Sequence, residues 1–205
     1  MLNNDFFSPK RITGTAVLLA LVIVLQAALG TVQIGMVQLN FTLIPIVLGA
    51  ILYGPIVGGF LGLACGVVVL FQVMMGGSPF YSIIWTYTPV QTFFTCIVKT
   101  TVAGMLAGLV FEWLAKKNML LSVFTASAIV PIVNTALFIV GCLFMNESIA
   151  MFQATLPDVA GMNLFVFILV VLVTFNFFVE LAINLIVAPA LHRVIGILDT
   201  RFKRK

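Results

Sequence analysis

Long apolar segments constrain the fold of this chain more than any other feature. The segment "LFVFILVVLVTFNFFVELAINLIVAPAL" at 164–191 carries a single charged residue, Glu180. A helix needs about 20 mostly apolar residues to cross the hydrocarbon core of a bilayer. The whole chain is 62% hydrophobic and 8% charged, whereas about 25% of the residues of a soluble domain are charged. The sequence therefore predicts an all-α, polytopic membrane protein.

Turn residues and polar stretches divide the chain into six helices, which we assign to one membrane domain, residues 1–205. The predicted helices are at about 12–30, 41–53, 56–75, 88–114, 119–145 and 162–191. The first resembles a signal peptide, but about 18 apolar residues are long for that purpose, so we expect a retained span. The second has about 13 residues and cannot cross a core of about 30 Å alone. The segments 31–40, 76–87 and 146–161 are predicted loops.

The basic residues predict the orientation of the six-helix bundle. An even number of spans places both termini on one side of the membrane. Nine of the ten basic residues fall on that side, and the three predicted loops carry none: Lys10, Arg11, Lys116, Lys117, Arg193, Arg201, Lys203, Arg204 and Lys205. Because cytoplasmic loops are enriched in Lys and Arg, we expect both termini to be cytoplasmic. The tenth, Lys99, lies within the fourth predicted helix.

Several classes of function lack their motifs in this sequence. It has no GxxxxGK[ST] phosphate loop, so an ATPase of that kind is not built into the chain. There is no HExxH or GxSxG motif, and with one His we expect no enzyme, metal site or cofactor. Three cysteines lie in apolar stretches and are expected to be packing residues. The net charge of +4 is located at segment ends, which indicates membrane orientation and no binding of nucleic acid.

Four polar residues in the predicted spans are the main candidates for a binding site. Placing a carboxylate at the centre of a bilayer costs roughly 2.5–3.5 kcal/mol. Glu180 therefore needs either a partner for its charge or a functional role. Counted at about 1.5 Å per residue, Lys99, Asn134 and Glu180 lie at similar depth, and Asn176 lies one turn further out than Glu180. Two compatible interpretations stay open. The residues form a Lys99–Glu180 bridge that fixes helix register, or they form the floor of a pocket for a small polar solute.

The predicted outer loops add further candidates for contact with a solute. They are Gln38, Asn40, Tyr81 and Trp85. Aromatic residues at this depth also occur in the interfacial belt of membrane proteins, so that alternative stays open. A ladder of glycines at Gly54, Gly58, Gly62 and Gly66 predicts close packing of the third helix. A pair of small residues, Ala16 and Ala20, packs inside the bundle or docks another membrane protein.

With these features the chain resembles the substrate-binding S components of energy-coupling factor (ECF) vitamin transporters. The resemblance covers nearly the whole chain, and "NFTLIPIVLGAILYGPIVGGFLGLACGV" at 40–67 is its most specific part. Ala16 and Ala20 match the family's AxxxA motif, which implies docking of the transmembrane T subunit. The resemblance also implies two cytosolic ATPases as partners, a bacterial plasma-membrane location and no catalysis by the chain itself.

"SPFYSIIWTYTPVQT" and "NFTLIPI" resemble the pantothenate-type members most closely, so pantothenate is the expected vitamin. The family binds its ligand with helices 4 to 6 and the loops after helices 1 and 3. That pattern implies pocket roles for Lys99, Asn134, Asn176 and Glu180. A stand-alone secondary carrier and a structural membrane protein of the cell-shape type remain as alternatives. The latter would need no buried Lys–Glu pair and no polar outer loops.

Overall fold

The structure is a computed structural model that describes residues 8–29 and 40–203, with side chains described at 8–28 and 40–197. These residues form helices joined by turns and contain no β-strand. The α-helices are α1 Pro9–Leu29, α2 Leu43–Tyr53, α3 Pro55–Met74, α4 Pro79–Tyr87, α5 Pro89–Ala115, α6 Met119–Phe144, α7 Asn146–Ala154, α8 Leu164–Val166 and α9 Thr174–Lys203. A π-helical segment, Phe167–Val173, joins α8 to α9 without a break, so 164–203 forms one final helix.

The described part of the chain has five helices that are long and apolar enough to cross a membrane: α1, α3, α5, α6 and the final helix. The shorter α2 is apolar as well and is largely buried among the others. This arrangement confirms the prediction of a membrane helical bundle of about six helices. The 11 residues of α2 also agree with the expectation that this segment is too short to cross alone.

A tight turn joins α2 to α3 where the sequence has Gly54 and Pro55. Gly54 has φ 91°, a conformation that residues with a Cβ rarely adopt. Pro55 follows at the first position of α3, where its missing N–H leaves no intrahelical bond unmade. Arg11 of α1 donates from Nη2 to the carbonyl oxygen of Tyr53 at 2.6 Å, which ties the start of α1 to the end of α2.

The glycine ladder of α3 is closely packed, as the sequence predicts, and the structure shows that its partner is the backbone of α5. A Cβ on Gly62 would collide with the carbonyl oxygen of Thr100, and one on Gly66 would lie 2.6 Å from the carbonyl oxygen of Cys96. A Cβ on Gly104 of α5 would approach the carbonyl oxygen of Gly58 equally closely. Because small residues let two backbones approach closely, α3 and α5 form the tightly packed centre of the bundle.

Two of the predicted loops contain short helices, so these predictions were wrong in part. In 76–87, Ser78 accepts a hydrogen bond from the backbone N–H of Tyr81 at 3.2 Å, and Pro79 begins α4. This cap-and-proline start stabilises a helix of nine residues. In 146–161, α7 is followed by a 3₁₀ turn at Pro157–Val159. The two short helices pack together at one end of the bundle, where Phe80 and Phe152 meet edge to face at 5.1 Å.

The final helix differs from the predicted span of 162–191 in length and in form. It continues to Lys203, beyond the predicted end at residue 191. Its π-helical segment is seven residues long, and the hydroxyl of Thr174, which directly follows it, donates to the carbonyl oxygen of Leu169 at 2.7 Å. A π segment has more residues per turn than an α-helix, so it shifts the faces of the helix on either side of it.

Helix α1 lies at the edge of the bundle and is mostly exposed. Leu18, Val22 and Gln26 are its buried side chains among those described. Ala16 and Ala20 are exposed. Among the described residues, this pair is therefore not used for packing within the bundle.

Candidate functional site

A cavity lies between α3, α5, α6 and the final helix, on the side of the bundle where α4 and α7 lie. It contains about 750 Å³ of space between atoms, counted out to its mouth. Its walls are mainly apolar, with Phe80, Tyr81, Phe138 and Phe177 as aromatic parts. Ligand sites commonly combine such walls with a few polar groups. The polar residues of this cavity are Gln26, Asn40, Thr92, Thr95, Lys99, Asn134, Thr135, Asn176 and Glu180.

Lys99 supplies the positive charge of this cavity. It follows Thr92 and Thr95 on α5 at spacings of three and four residues, so all three side chains share one face of the helix. Its Nζ lies 5.0 Å from the centre of the Phe138 ring, within reach of a cation–π interaction. Within the described residues it has no hydrogen bond and no carboxylate within 4.0 Å. A cation at this depth is therefore left open to a negatively charged ligand group.

Glu180 is held by a main-chain group and not by Lys99. Its Oε1 accepts the backbone N–H of Asn40 at 2.9 Å, and the bond is buried. Its other oxygen has no hydrogen bond within the described part of the chain. The direct Lys99–Glu180 bridge, one of the two interpretations from sequence, is therefore not formed, although both residues line the same cavity. The geometry favours the pocket interpretation.

Two amides that line the cavity carry atoms with no hydrogen-bond partner. They are the acceptor Oδ1 of Asn134 on α6 and the donor Nδ2 of Asn176 on the final helix, and both are buried. A buried polar atom without a partner costs about 1–3 kcal/mol, so native structures satisfy nearly all of them. A ligand that offers one donor and one acceptor would satisfy this pair. In the described residues the third such atom, Ser127 Oγ, does not line the cavity.

Six of the eight substrate-site candidates line this cavity: Asn40, Tyr81, Lys99, Asn134, Asn176 and Glu180. Trp85 does not. It is half-buried and packs on the hydrophobic core beside the cavity, because α4 turns Tyr81 and Ile84 inward instead. Gln38 lies outside the described residues. That any of these residues contacts a substrate stays a prediction.

Sequence reasoning missed four polar lining residues, Gln26, Thr92, Thr95 and Thr135. A signal for two of them was present, because Thr92 and Thr95 share the helical stripe of Lys99. Thr135 is adjacent to Asn134 and carried no independent signal. Gln26 was the strongest missed sign. It is an amide near the end of a predicted span, and it is almost completely buried in the structure.

The model of one protein family matches the sequence over residues 10–192, almost the whole chain. Its description is "ECF transporter, substrate-specific component". The chain belongs to this family. As an S component, it is the substrate-specific subunit of an ECF transporter and a multi-pass membrane protein. Membership implies association with ECF T and ATPase subunits, and S components are in general not catalytic. A search of curated protein sequences gave no match.

Family membership bears on two features of this S component, its cavity and its exposed alanine pair. The cavity is the place in the described bundle where charged and unsatisfied polar groups meet apolar walls. Ala16 and Ala20 lie on a different face, on the exposed side of α1. Substrate binding and subunit docking therefore have separate candidate surfaces in this S component.

Proposed function

We propose that this S component captures a small polar vitamin with a carboxylate, specifically pantothenate, from outside the cell. It then delivers the vitamin through a T subunit and two ATPases. The single observation that carries the proposal is the set of open polar groups in one cavity. Within the part of the chain that the structure describes, they are a cation without a carboxylate partner, a carboxylate with one oxygen unbonded and two amide atoms without partners.

The carboxylate of the vitamin is the partner proposed for Lys99. A charge in a low-dielectric environment is costly unless it is paired. Lys99 lies against the face of Phe138 and has no carboxylate partner among the described residues, and an anionic ligand group would supply the missing counter-charge. This pairing favours an acid over a neutral analogue of the same shape.

The remaining polar groups of pantothenate match the other open atoms. The vitamin has one amide and two hydroxyls. Its amide or hydroxyls can donate to Asn134 Oδ1 and accept from Asn176 Nδ2, which are unpaired in the structure. A hydroxyl can also donate to the oxygen of Glu180 that Asn40 leaves free. A ligand with fewer hydrogen-bonding groups would leave some of these atoms buried and unsatisfied.

Binding requires some movement of the cavity walls. Of the space in the cavity, about 60 Å³ can be occupied by the centres of water molecules. One water needs roughly 10–15 Å³ on this measure, so the cavity has room for a few waters in this conformation. A vitamin therefore displaces these waters and moves lining side chains, among which Phe138 and Phe177 are half-buried.

Mass spectrometry of small molecules released from the purified protein tests this proposal without assuming the ligand. We expect pantothenate in the released fraction, and a saturable calorimetric titration when pantothenate is added back. Release of a different vitamin would overturn the choice of pantothenate and keep the capture of a vitamin. If no small molecule is released and no vitamin binds, the proposed function is wrong.

A further inference from the structure

A buried polar network connects the binding cavity to the start of α2. Glu180 lines the cavity and accepts the backbone N–H of Asn40 at 2.9 Å. Asn40 lies two residues before Thr42, which immediately precedes α2, and it is buried. The carboxylate is thus held by a main-chain group of a connecting segment. Its position depends on whatever holds that segment in place.

Thr42 and Cys65 both contact the Asn40 side chain, and Thr42 makes the shorter contact. The Thr42 hydroxyl donates to Oδ1 of Asn40 and lies 2.9 Å from the sulfur of Cys65 on α3. Thr42 is completely buried and does not line the cavity. The hydroxyl therefore cannot touch a ligand, and any effect on binding has to pass through its neighbours.

Gln26 extends the network to α1. The Oε1 atom of Gln26 lies 3.3 Å from the Thr42 hydroxyl. The Nε2 atom of Gln26 donates to Oε1 of Gln72 at 3.0 Å, and Nε2 of Gln72 donates to the main-chain carbonyl oxygen of Gln26 at 2.9 Å. A hydroxyl has one proton, so while Thr42 donates to Asn40 it does not also donate to Gln26, whose Oε1 is a second acceptor within reach. One hydroxyl thus links α1, α3, the start of α2 and, through Asn40, the final helix.

We propose that Thr42 is a positioning residue of the binding site. By fixing Asn40, it keeps the Asn40 N–H on one oxygen of Glu180 and leaves the other oxygen free for a donor group of the ligand. The inference rests on the proposed function and adds to it that a residue outside the cavity sets the affinity. Without the hydroxyl, Asn40 Oδ1 keeps only the long contact of 3.9 Å from the Cys65 thiol, so Asn40 is held less firmly and the carboxylate loses a fixed partner.

The test variant is Thr42→Val, which removes the hydroxyl and keeps the shape of the side chain. Thr100→Val is the matched control. Thr100 is also completely buried and also outside the cavity lining, but among the described residues its hydroxyl forms a hydrogen bond only with the carbonyl oxygen of Cys96 in its own helix, at 3.5 Å. The two variants lose the same group from the interior, so a general loss of stability would affect both.

The first measurement needs no ligand. Amide hydrogen exchange at Asn40, read with residue resolution by mass spectrometry, reports the bond to Glu180. We expect Thr42→Val to accelerate this exchange by about tenfold, the loss of one hydrogen bond, and Thr100→Val to leave it unchanged. Glu180→Met should accelerate it as well, and adding Thr42→Val to Glu180→Met should change it no further. Unchanged exchange in Thr42→Val, or equal acceleration with Glu180 present and removed, would overturn the inference.

The second measurement is a calorimetric titration with pantothenate. Thr42→Val should weaken binding by about tenfold, and Thr100→Val by less than about twofold. Equal affinity of Thr42→Val and the unaltered protein would overturn the positioning role. If the unaltered protein binds no pantothenate, the proposed ligand is wrong, whereas the exchange experiment still decides the role of Thr42. The two failures are therefore distinguishable.

Discussion

Lys99 and Glu180 show how opposite charges can share a cavity in a membrane protein without forming a pair. Each has a substitute partner, the ring of Phe138 for the cation and the N–H of Asn40 for the carboxylate. Neither substitute neutralises the charge. The arrangement keeps both groups available to a ligand that carries an acid and hydrogen-bond donors.

Lys99→Gln should weaken pantothenate binding by at least about 100-fold. The reason is that the ligand carboxylate would then be buried without a counter-charge. Calorimetric titration measures the change, and Lys117→Gln serves as the control because Lys117 is exposed and stacks on Trp113 away from the cavity. Unchanged affinity in a folded Lys99→Gln variant would move the anion site elsewhere.

Glu180→Gln should weaken binding too, but less than Lys99→Gln. The amide keeps the shape of the side chain, and its oxygen can still accept from Asn40, while its NH2 group replaces the free oxygen and can donate to a ligand hydroxyl. The same titration, run on both variants and compared with the unaltered protein, gives the order of the two effects. A larger loss in Glu180→Gln than in Lys99→Gln would contradict the assignment of the ligand's acid to Lys99.

The sequence was sufficient to predict that Lys99, Asn134, Asn176 and Glu180 lie close together. They are rare polar residues in apolar helices, and the constant rise per residue gives the depth of each one. It was not sufficient to give their partners. The bond from Asn40 to Glu180 joins residues 140 positions apart, and it depends on how the segment before α2 crosses the final helix. No periodicity along the chain encodes such a crossing.

At the scale of the elements, turn residues predicted the long helices well, because Gly54-Pro55 and the polar stretches end them sharply. The short helices α4 and α7 were missed, since nine residues with mixed polarity give too few turns for a periodic signal. The close contact of α3 with α5 was predictable from its glycines and carries a direct consequence for stability.

Gly62→Ala should destabilise the bundle. The new Cβ would lie 2.6 Å from the carbonyl carbon of Thr100, and overpacking of a close interface costs about 1–3 kcal/mol. We expect the apparent melting temperature in detergent to fall by roughly 2–12 °C. Gly161→Ala is the control, because a Cβ there meets nothing within 4 Å. Equal melting temperatures for the two variants would show that α3 and α5 can separate without cost.

Ala16→Leu and Ala20→Leu should weaken assembly with the T subunit and leave vitamin binding unchanged. Both alanines are exposed on α1, and a leucine would hold a partner helix away from the backbone. Co-purification of T and ATPase subunits measures the effect. Ala136→Leu, an exposed position on α6, is the matched control. A full complement of partner subunits in both α1 variants would exclude this surface as the docking site.

At the scale of the whole molecule, the chain has a cavity lined by candidate binding residues, and its sequence contains no phosphate loop. Membership of the family implies association with T and ATPase subunits. We therefore expect the energy for accumulation against a gradient to come from those subunits. This division separates an ECF S component from a stand-alone secondary carrier, which would work without them.

The purified chain in liposomes with enclosed ATP should bind pantothenate but not accumulate it. Accumulation should appear when the T subunit and both ATPases are reconstituted with it, and radiolabelled pantothenate measures both conditions. Uptake that exceeds equilibration in liposomes with the chain alone would contradict the dependence on partner subunits. Lys99→Gln in the full complex is the control that links uptake to the cavity.

The π-helical segment of the final helix has a practical consequence for anyone who mutates it. A regular helix of about 3.6 residues per turn, counted from Glu180 towards the N-terminal end of this helix, would place Val173, Leu169 and Val166 on the buried face. The structure does bury Val173, but it also buries Phe167 and Ile168 completely and leaves Val166 42% exposed. The buried face at the start of the π-helical segment is therefore not continuous with the buried face after it. Labels or cross-links meant for lipid in the N-terminal part of this helix would enter the protein interior if they were placed by counting from Glu180.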